Sequence, residues 1–316
     1  MTATTTLPPL RASGGTATRR GRKSWSKFGL VALTPFALFL LLFGVYPAIE
    51  LFRMAASEVR VIQGGFQMEF AGLNNFTRIL ADPDTLPVLF VTITFIVGAV
   101  ALTVILGTLL AVMLDRARFM KTVAKRILIW PTVVAPVVVS VIWLLLLSPT
   151  IGAINKVLLA AGLPEQGWLG EPVGAMLSII AVDVWHWTPL VFLLVYTSLQ
   201  SIDTEVLEAA RVDGATEWQT IKMVVLPMVK PVIITATVIR LIMSVKAFDE
   251  MFLLTHGGPG NSTNLISLHI RTIFFDRLEL GYGSALGVAI ILIFALLGGL
   301  YVLAKKAVTG RQASNA

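Results

Sequence analysis

The residues best suited to chemistry lie in apolar surroundings. Asp183, Trp185, His186 and Trp187 fall in one long apolar segment, and Arg240, Lys246, Asp249 and Glu250 in another. An ionisable side chain inside such a segment is costly to desolvate, so it marks a functional site unless it merely neutralises a neighbour. Asp183 and His186 stand three apart and can share a helix face; Lys246, Asp249 and Glu250 have the i, i+3, i+4 spacing that does the same. The set suits hydrogen bonding to hydroxyl groups, with Trp185 or Trp187 stacked on a ring. Positions two apart diverge by about 200° on a helix, so only one of these tryptophans can face a given cavity. The competing reading is that Lys246 pairs with Asp249 or Glu250 only to cancel charge. Covalent chemistry is not indicated. No nucleophile stands beside a base, there is no cysteine, and His186, His256 and His269 fall in different segments, so neither a catalytic residue nor a metal site is expected.

A second constellation is polar and lies between apolar segments, from Ser201 to Pro231. Asp203 or Thr204 can cap a short helix through Glu205–Val212. Gly214 can end it in a left-handed turn. A second short helix is expected from about Thr216 to Val225, interrupted at Leu226-Pro227. The small pair Ala209-Ala210 would let another surface approach closely.

The elements that must carry these residues follow from composition. Of 316 residues, 56% are hydrophobic and only 14% charged. The mean hydropathy is +0.83. A soluble domain carries nearer a quarter charged residues. Six apolar runs, each near the roughly 20 residues a spanning helix needs, cover Phe28–Met54, Leu86–Leu114, Leu128–Ser148, Val173–Leu199, Pro231–Thr255 and Gly283–Ala304. The fold class is therefore an all-α polytopic membrane protein. Arg19, Arg20, Lys121, Lys125, Arg126, Lys222, Lys230, Lys305 and Lys306 lie on one side of the spans, against Arg60, Arg78, Lys156, Arg271 and Arg277 on the other. Inside-positive topology then puts both termini in the cytoplasm. The same distribution explains the net charge of +7 without nucleic acid. Residues 1–27 read as a disordered basic tail and 307–316 as a second cytoplasmic tail. In the first tail, Gly21-Arg22-Lys23-Ser24 only echoes a phosphate loop, because its spacing is wrong and no strand precedes it. Arg19-Arg20 mimics a secretion signal, but the apolar run after it is too long.

The polar segment resembles the EAA loop of binding-protein-dependent ABC importers, whose pattern is E-A-A-x-x-D-G-A, an aromatic, then L-P-x-x-x-P. Here it reads Glu208-Ala209-Ala210, Asp213-Gly214-Ala215, Trp218, Leu226-Pro227 and Pro231. Phe248-Asp249 with Leu254-Thr255-His256-Gly257-Gly258-Pro259, Gly72-Leu73-Asn74-Asn75-Phe76, and Asp183-Val184-Trp185 are similar to the carbohydrate-type branch of that family.

The resemblance implies a type I ABC importer permease fold, six spans over 28–306, with a coupling loop at 201–231. It implies that Glu208, Ala209, Ala210, Asp213 and Gly214 meet a separate ATP-hydrolysing subunit. The expected partners are a second homologous permease, two ATPase subunits holding ATP and Mg, an extracytoplasmic solute-binding protein and membrane lipid, in a bacterial cytoplasmic membrane. No cofactor is expected on this chain, and it is not expected to be an enzyme. The cargo would be a sugar or sugar derivative, with Asp183, Trp185, His186, Lys246, Asp249 and Glu250 as candidate pathway residues. Glycerol 3-phosphate is an alternative cargo, and an ion-coupled carrier an alternative class.

Overall fold

The computed structural model describes residues 27–117, 119 and 121–314. The rest of the basic tail, with its phosphate-loop echo and arginine pair, lies outside the described residues. The chain divides into two compact units, Met1–Glu50 and Leu51–Ala316. Helix α1 (Lys27–Leu40) runs through a π turn at Leu41–Val45 into α2 (Tyr46–Ala55), and the boundary between the units falls within α2, after Glu50. This is the first expected span, unbroken in spite of Pro35.

After the last residues of α2, the second unit continues with a feature that the pattern of apolar spans does not predict. Strands β1 (Ser57–Ile62) and β2 (Gly65–Phe70) form an antiparallel hairpin in which Ile62 pairs with Gly65. The two-residue turn between them holds Gly64 at φ 93°, a conformation that glycine adopts without strain. Helix α3 (Asn74–Ala81) follows. The Asn75 amide donates to the carbonyls of Ala55 and Ser57, so it ties α3 to the end of the first span.

Helix α4 (Thr85–Arg116) is the second span. The third expected span, Leu128–Ser148, is not one straight helix. It divides into α5 (Lys121–Val133) and α6 (Pro136–Leu146), bent by 99°. The cause is Pro136, whose ring disfavours helical geometry at Ala135, found extended at ψ 140°. A short helix α7 (Ala153–Ala160) occupies the next loop. Helix α8 (Pro172–Leu199) is the fourth span.

The loop after α8 carries α9 (Thr204–Val212) and α10 (Glu217–Thr220). The expected interruption at Leu226-Pro227 is absent. A π turn at Ile221–Val225 leads directly into α11 (Leu226–Val245), so one helix runs from Glu217 to Val245. Pro227 comes just after the π turn, whose wider bonding pattern accommodates a missing N–H within a continuous helix. The fifth expected span, Pro231–Thr255, is broken instead at Lys246, before α12 (Asp249–Leu254). Helix α13 (Ile266–Arg271) and a π turn at Thr272–Asp276 fill the last loop. Helix α14 (Leu280–Ser314) ends the described chain and continues helically through most of the expected C-terminal tail.

Among the described residues four helices are each long and apolar enough to cross a membrane, the number is five if the bent pair is one span, and Leu280–Leu296 is a shorter apolar stretch. The chain is thus mostly helical and multi-pass. Helices α4 and α8 form its centre. Phe95 and Ala99 on α4 pack with Ile179 and Val182 on α8, and Ala111 with Val191 and Phe192 nearer the other end. In a bilayer, apolar contact alone does not drive helices together, because lipid tails are equally apolar; close packing does. Gly107 permits it. A Cβ there would stand 2.7 Å from the Val191 Cβ and 3.0 Å from the Phe192 backbone nitrogen. Gly107→Val should therefore wedge α4 from α8 and cost about 1–3 kcal/mol. Heat-induced aggregation of the detergent-solubilised protein measures this, and unchanged thermal stability would show that the crossing is not close-packed.

Candidate functional site

The buried polar residues converge where α8, α11, α12 and the α5–α6 bend meet. Arg240 on α11 is fully buried, and Asp183 on α8 is 1% exposed. The guanidinium donates through Nη2 to Asp183 Oδ2. This is the pairing that an intramembrane arginine requires. The Arg240 charge also lies 5.9 Å from the centre of the Trp187 ring.

His186, one turn along α8, faces the bend. Its Nε2 lies 3.1 Å from the carbonyl oxygen of Val134. Thr132 donates its hydroxyl to the backbone carbonyl of His186, at 3.0 Å. The unwound residues between α5 and α6 are thereby tied to α8, which supplies partners for backbone that the bend has freed. Glu250 on α12 is 3% exposed, and its carboxylate stands 3.8 Å from His186 Nδ1.

A cavity of about 280 Å³ opens beside this cluster, lined by Asp183, Trp187, Lys246, Phe248, Asp249 and Glu250, among others. The break in the fifth span builds it. Lys246 caps α11, and Asp249 and Glu250 occupy the first turn of α12. Each charge suits the helix end it occupies, cation at a C-terminus and anions at an N-terminus. Ser267 donates to the Ala247 carbonyl and so satisfies a group released at the break. Phe248 stacks on Phe252 with ring centres 5.2 Å apart.

These positions differ from the sequence reading in several ways. Lys246, Asp249 and Glu250 do meet at one cavity, but not as neighbours on one helix face. The expected pairing of Lys246 with either acid is not found among the described residues; the buried ion pair is Arg240 with Asp183. Trp187, not Trp185, lines the polar cavity. Trp185 packs edge-on against Trp143, 5.6 Å away, and borders a separate apolar groove of about 600 Å³ between α4, α5 and α8. His186 stands behind the cavity and holds the bend. Arg240, noted in the sequence but outside the candidate pathway set, is the buried partner of Asp183. Its signal was available, since a charge in the middle of a span needs an acid within reach.

The polar loop has the local structure its residues dictate. Gly214 takes φ 77°. The Ala215 N–H reaches the Ala210 carbonyl at 3.0 Å and the Gly214 N–H reaches Arg211 at 3.1 Å, which together close α9 with the paired bonds of a glycine-terminated helix. Thr216 and Gln219 then form a reciprocal cap at the start of α10. None of α9 is buried, and Glu208, Ala209, Asp213 and Gly214 are exposed, with Ala210 half-buried. Val212 and Trp218 are exposed too, at 87% and 70%. The loop is anchored at its base, where Glu217 lies 3.5 Å from Arg116 and Gln200 donates to Asp115 at the end of α4.

Residues 103–310 match the family described as the binding-protein-dependent transport system inner membrane component. The chain belongs to that family: it is a membrane-spanning permease subunit of an ABC importer, a transport component and not an enzyme. It is 32% identical over 264 residues to the trehalose/maltose transport system permease protein MalF of Thermococcus litoralis, covering 83% of this chain and 88% of that one. It is 30% identical over 275 residues to the lactose transport system permease protein LacF of Rhizobium radiobacter, covering 85% and 91%. The fold is similar to that in the crystal structure of a bacterial ABC transporter involved in the import of the acidic polysaccharide alginate. The TM-score is 0.75 at 23% identity, over 86% of this chain and 93% of that one.

The buried pair gives a direct test. Arg240→Met or Asp183→Asn alone leaves one buried group without its partner, a loss of about 3–5 kcal/mol. The double substitution removes both charges and should be less harmful than Arg240→Met alone. Folded yield and melting temperature of the purified variants measure this, and simple addition of the two losses would show that the groups do not act as a pair.

Proposed function

We propose that this chain forms one half of the translocation pathway for a sugar or sugar derivative. A second homologous permease supplies the other half. Two ATPase subunits with ATP and Mg bind on the cytoplasmic side, one of them at the 201–231 loop, and an extracytoplasmic solute-binding protein delivers the cargo. Residues 28–306 form the transmembrane permease domain, with the tails 1–27 and 307–316 in the cytoplasm of a bacterial cell. Surrounding lipid completes the setting, and nucleic acid has no part in it.

The observation that carries the reading is the single helix from Glu217 to Val245. It begins at the exposed loop and ends at Lys246 on the cavity wall. Glu208, Ala209, Ala210, Asp213 and Gly214 form the contact with the ATPase, where the two alanines allow close approach. Closure of the ATPase pair on ATP moves this contact, and the helix carries the motion to the cavity, which alternates between the two sides of the membrane. The cavity contributes hydrogen-bonding groups at Asp183, Lys246, Asp249 and Glu250 and the ring face of Trp187. His186 supports it from behind, and Trp185 lies outside it.

Two considerations favour an uncharged carbohydrate. The related permeases are named for trehalose, maltose and lactose transport. Among the cavity-lining residues Lys246 is the one cation, and Arg240 is committed to Asp183. Glycerol 3-phosphate would favour a strongly cationic cavity, and an ion-coupled carrier would leave the exposed loop without a role.

Three measurements test the reading. Glu208→Lys and Gly214→Val should each abolish ATP-driven uptake in the reconstituted transporter while leaving solute capture by the binding protein unchanged. Wild-type uptake at equal expression would remove the loop from the mechanism. Trp187→Ala should lower uptake roughly tenfold, the equivalent of about 1.4 kcal/mol of contact, and alter sugar preference, whereas Trp185→Ala should leave the preference intact. The reverse pattern would place the pathway at the apolar groove. A cytoplasmic reporter fused after Glu217 and an extracytoplasmic reporter after Gly167 should both be active, and inverted results would overturn the orientation.

A further inference from the structure

The two ring nitrogens of His186 have different surroundings. Nε2 lies 3.1 Å from the carbonyl oxygen of Val134. A carbonyl only accepts, so Nε2 carries a hydrogen, and this bond fixes the tautomer. Nδ1 is then either a bare lone pair or the second N–H of an imidazolium. It is buried from solvent and has no hydrogen-bond partner. Facing it is Glu250 Oε1, 3.8 Å away, on a side chain that is itself only 4% exposed.

A proton is needed to make this arrangement tenable. Without one, the Nδ1 lone pair and an anionic carboxylate oxygen confront each other out of water, with no donor on either side. With one, either Glu250 donates an O–H to Nδ1 or Nδ1–H donates to the carboxylate. Both forms place the same proton between the same two atoms. The gap is about 1 Å longer than a full hydrogen bond, and a small turn of either side chain closes it.

The neighbouring charges call for the same proton. The cluster holds Asp183, Asp249 and Glu250 as acids and Arg240 and Lys246 as cations. Arg240 is committed to Asp183. Helix α6, which packs against α12, carries no charge, and neither do Thr132 and Val134, the residues of the bend that meet His186. Three acids against two cations leave one negative charge over, in surroundings where an uncompensated charge is costly. Asp183 interacts electrostatically with both His186 and Glu250, so the surplus bears on this pair. One proton removes it.

We propose that His186 and Glu250 share a single proton, and that His186 is thereby the residue that positions Glu250 at the cavity. The bond joins α12 to α8, and through Nε2 and Val134 it reaches the α5–α6 bend. His186 does not touch the cargo. It holds Oε1 and leaves Oε2 of Glu250 to accept from a hydroxyl group in the cavity. That last step rests on the carbohydrate cargo given under the proposed function; the shared proton does not.

The test uses the whole transporter in lipid nanodiscs. Nitrogen NMR of isotopically labelled histidine, with the His186 signals assigned by their loss in His186→Gln, should show Nδ1 protonated or hydrogen-bonded in the wild type and bare in Glu250→Ala. Uptake supplies the second readout. His186→Gln keeps an N–H for the Val134 carbonyl and removes Nδ1, so it and Glu250→Ala should each lower uptake about tenfold, and the double variant should be no worse than the weaker single one. Glu250→Gln, whose amide can donate to Nδ1, should restore most of the uptake that Glu250→Ala loses. A bare Nδ1 in the wild type, additive losses, or Glu250→Gln no better than Glu250→Ala would each overturn the proposal. A wild-type transporter that carries no sugar would overturn the cargo reading instead, and the NMR result would stand apart from it.

Discussion

The ion pair between Arg240 and Asp183 is the constraint on which the rest of the site depends. A guanidinium in the middle of an apolar helix has no acceptable state except one in which an acid lies beside it. This requirement fixes the rotation of α11 relative to α8. With that rotation set, Trp187 turns toward the polar side and Trp185 toward the apolar side, 40% exposed and packed on Trp143. The α12 acids reach the same neighbourhood because the helix ends at Lys246. One charge pair thus sorts two tryptophans that the sequence presents as equals.

The bend between α5 and α6 belongs to the same arrangement. A straight third span would have satisfied its own backbone. The bent pair frees the Val134 carbonyl, which His186 Nε2 meets, while Thr132 at the end of α5 donates its hydroxyl to the His186 carbonyl. The histidine is therefore structural in its contacts, although its position among ionisable residues suggests otherwise. The bend also leaves the flank of α4 and α8 uncovered, which is the origin of the apolar groove.

Much of this was legible from residue order. Long apolar runs identified the spans, because a 20-residue hydrophobic stretch has few alternatives. The turn at Gly214 was legible because a glycine after a capped helix has one common use. The hairpin at Ser57–Phe70 was not legible, because each strand is only six residues long and its residues do not alternate cleanly between buried and exposed. Pro227 misled in the other direction: proline stops a helix in general, yet the adjacent π turn accommodates it. The break at Lys246 carries no glycine or proline at all. It depends on tertiary partners such as Ser267, which no local pattern announces.

The unbroken helix from Glu217 to Val245 has a mechanical consequence. Its 29 residues at 1.5 Å each make a rod about 43 Å long. Pivoting such a rod about its middle by 5° displaces each tip by about 2 Å. A shift of that size at Lys246 is comparable to the difference between a formed and a broken hydrogen bond. The π turn at Ile221–Val225 lies near one tip, so the helix runs on from it to Val245 without a further break. A hinge at Leu226-Pro227, had the proline broken the helix, would have let the two tips move independently.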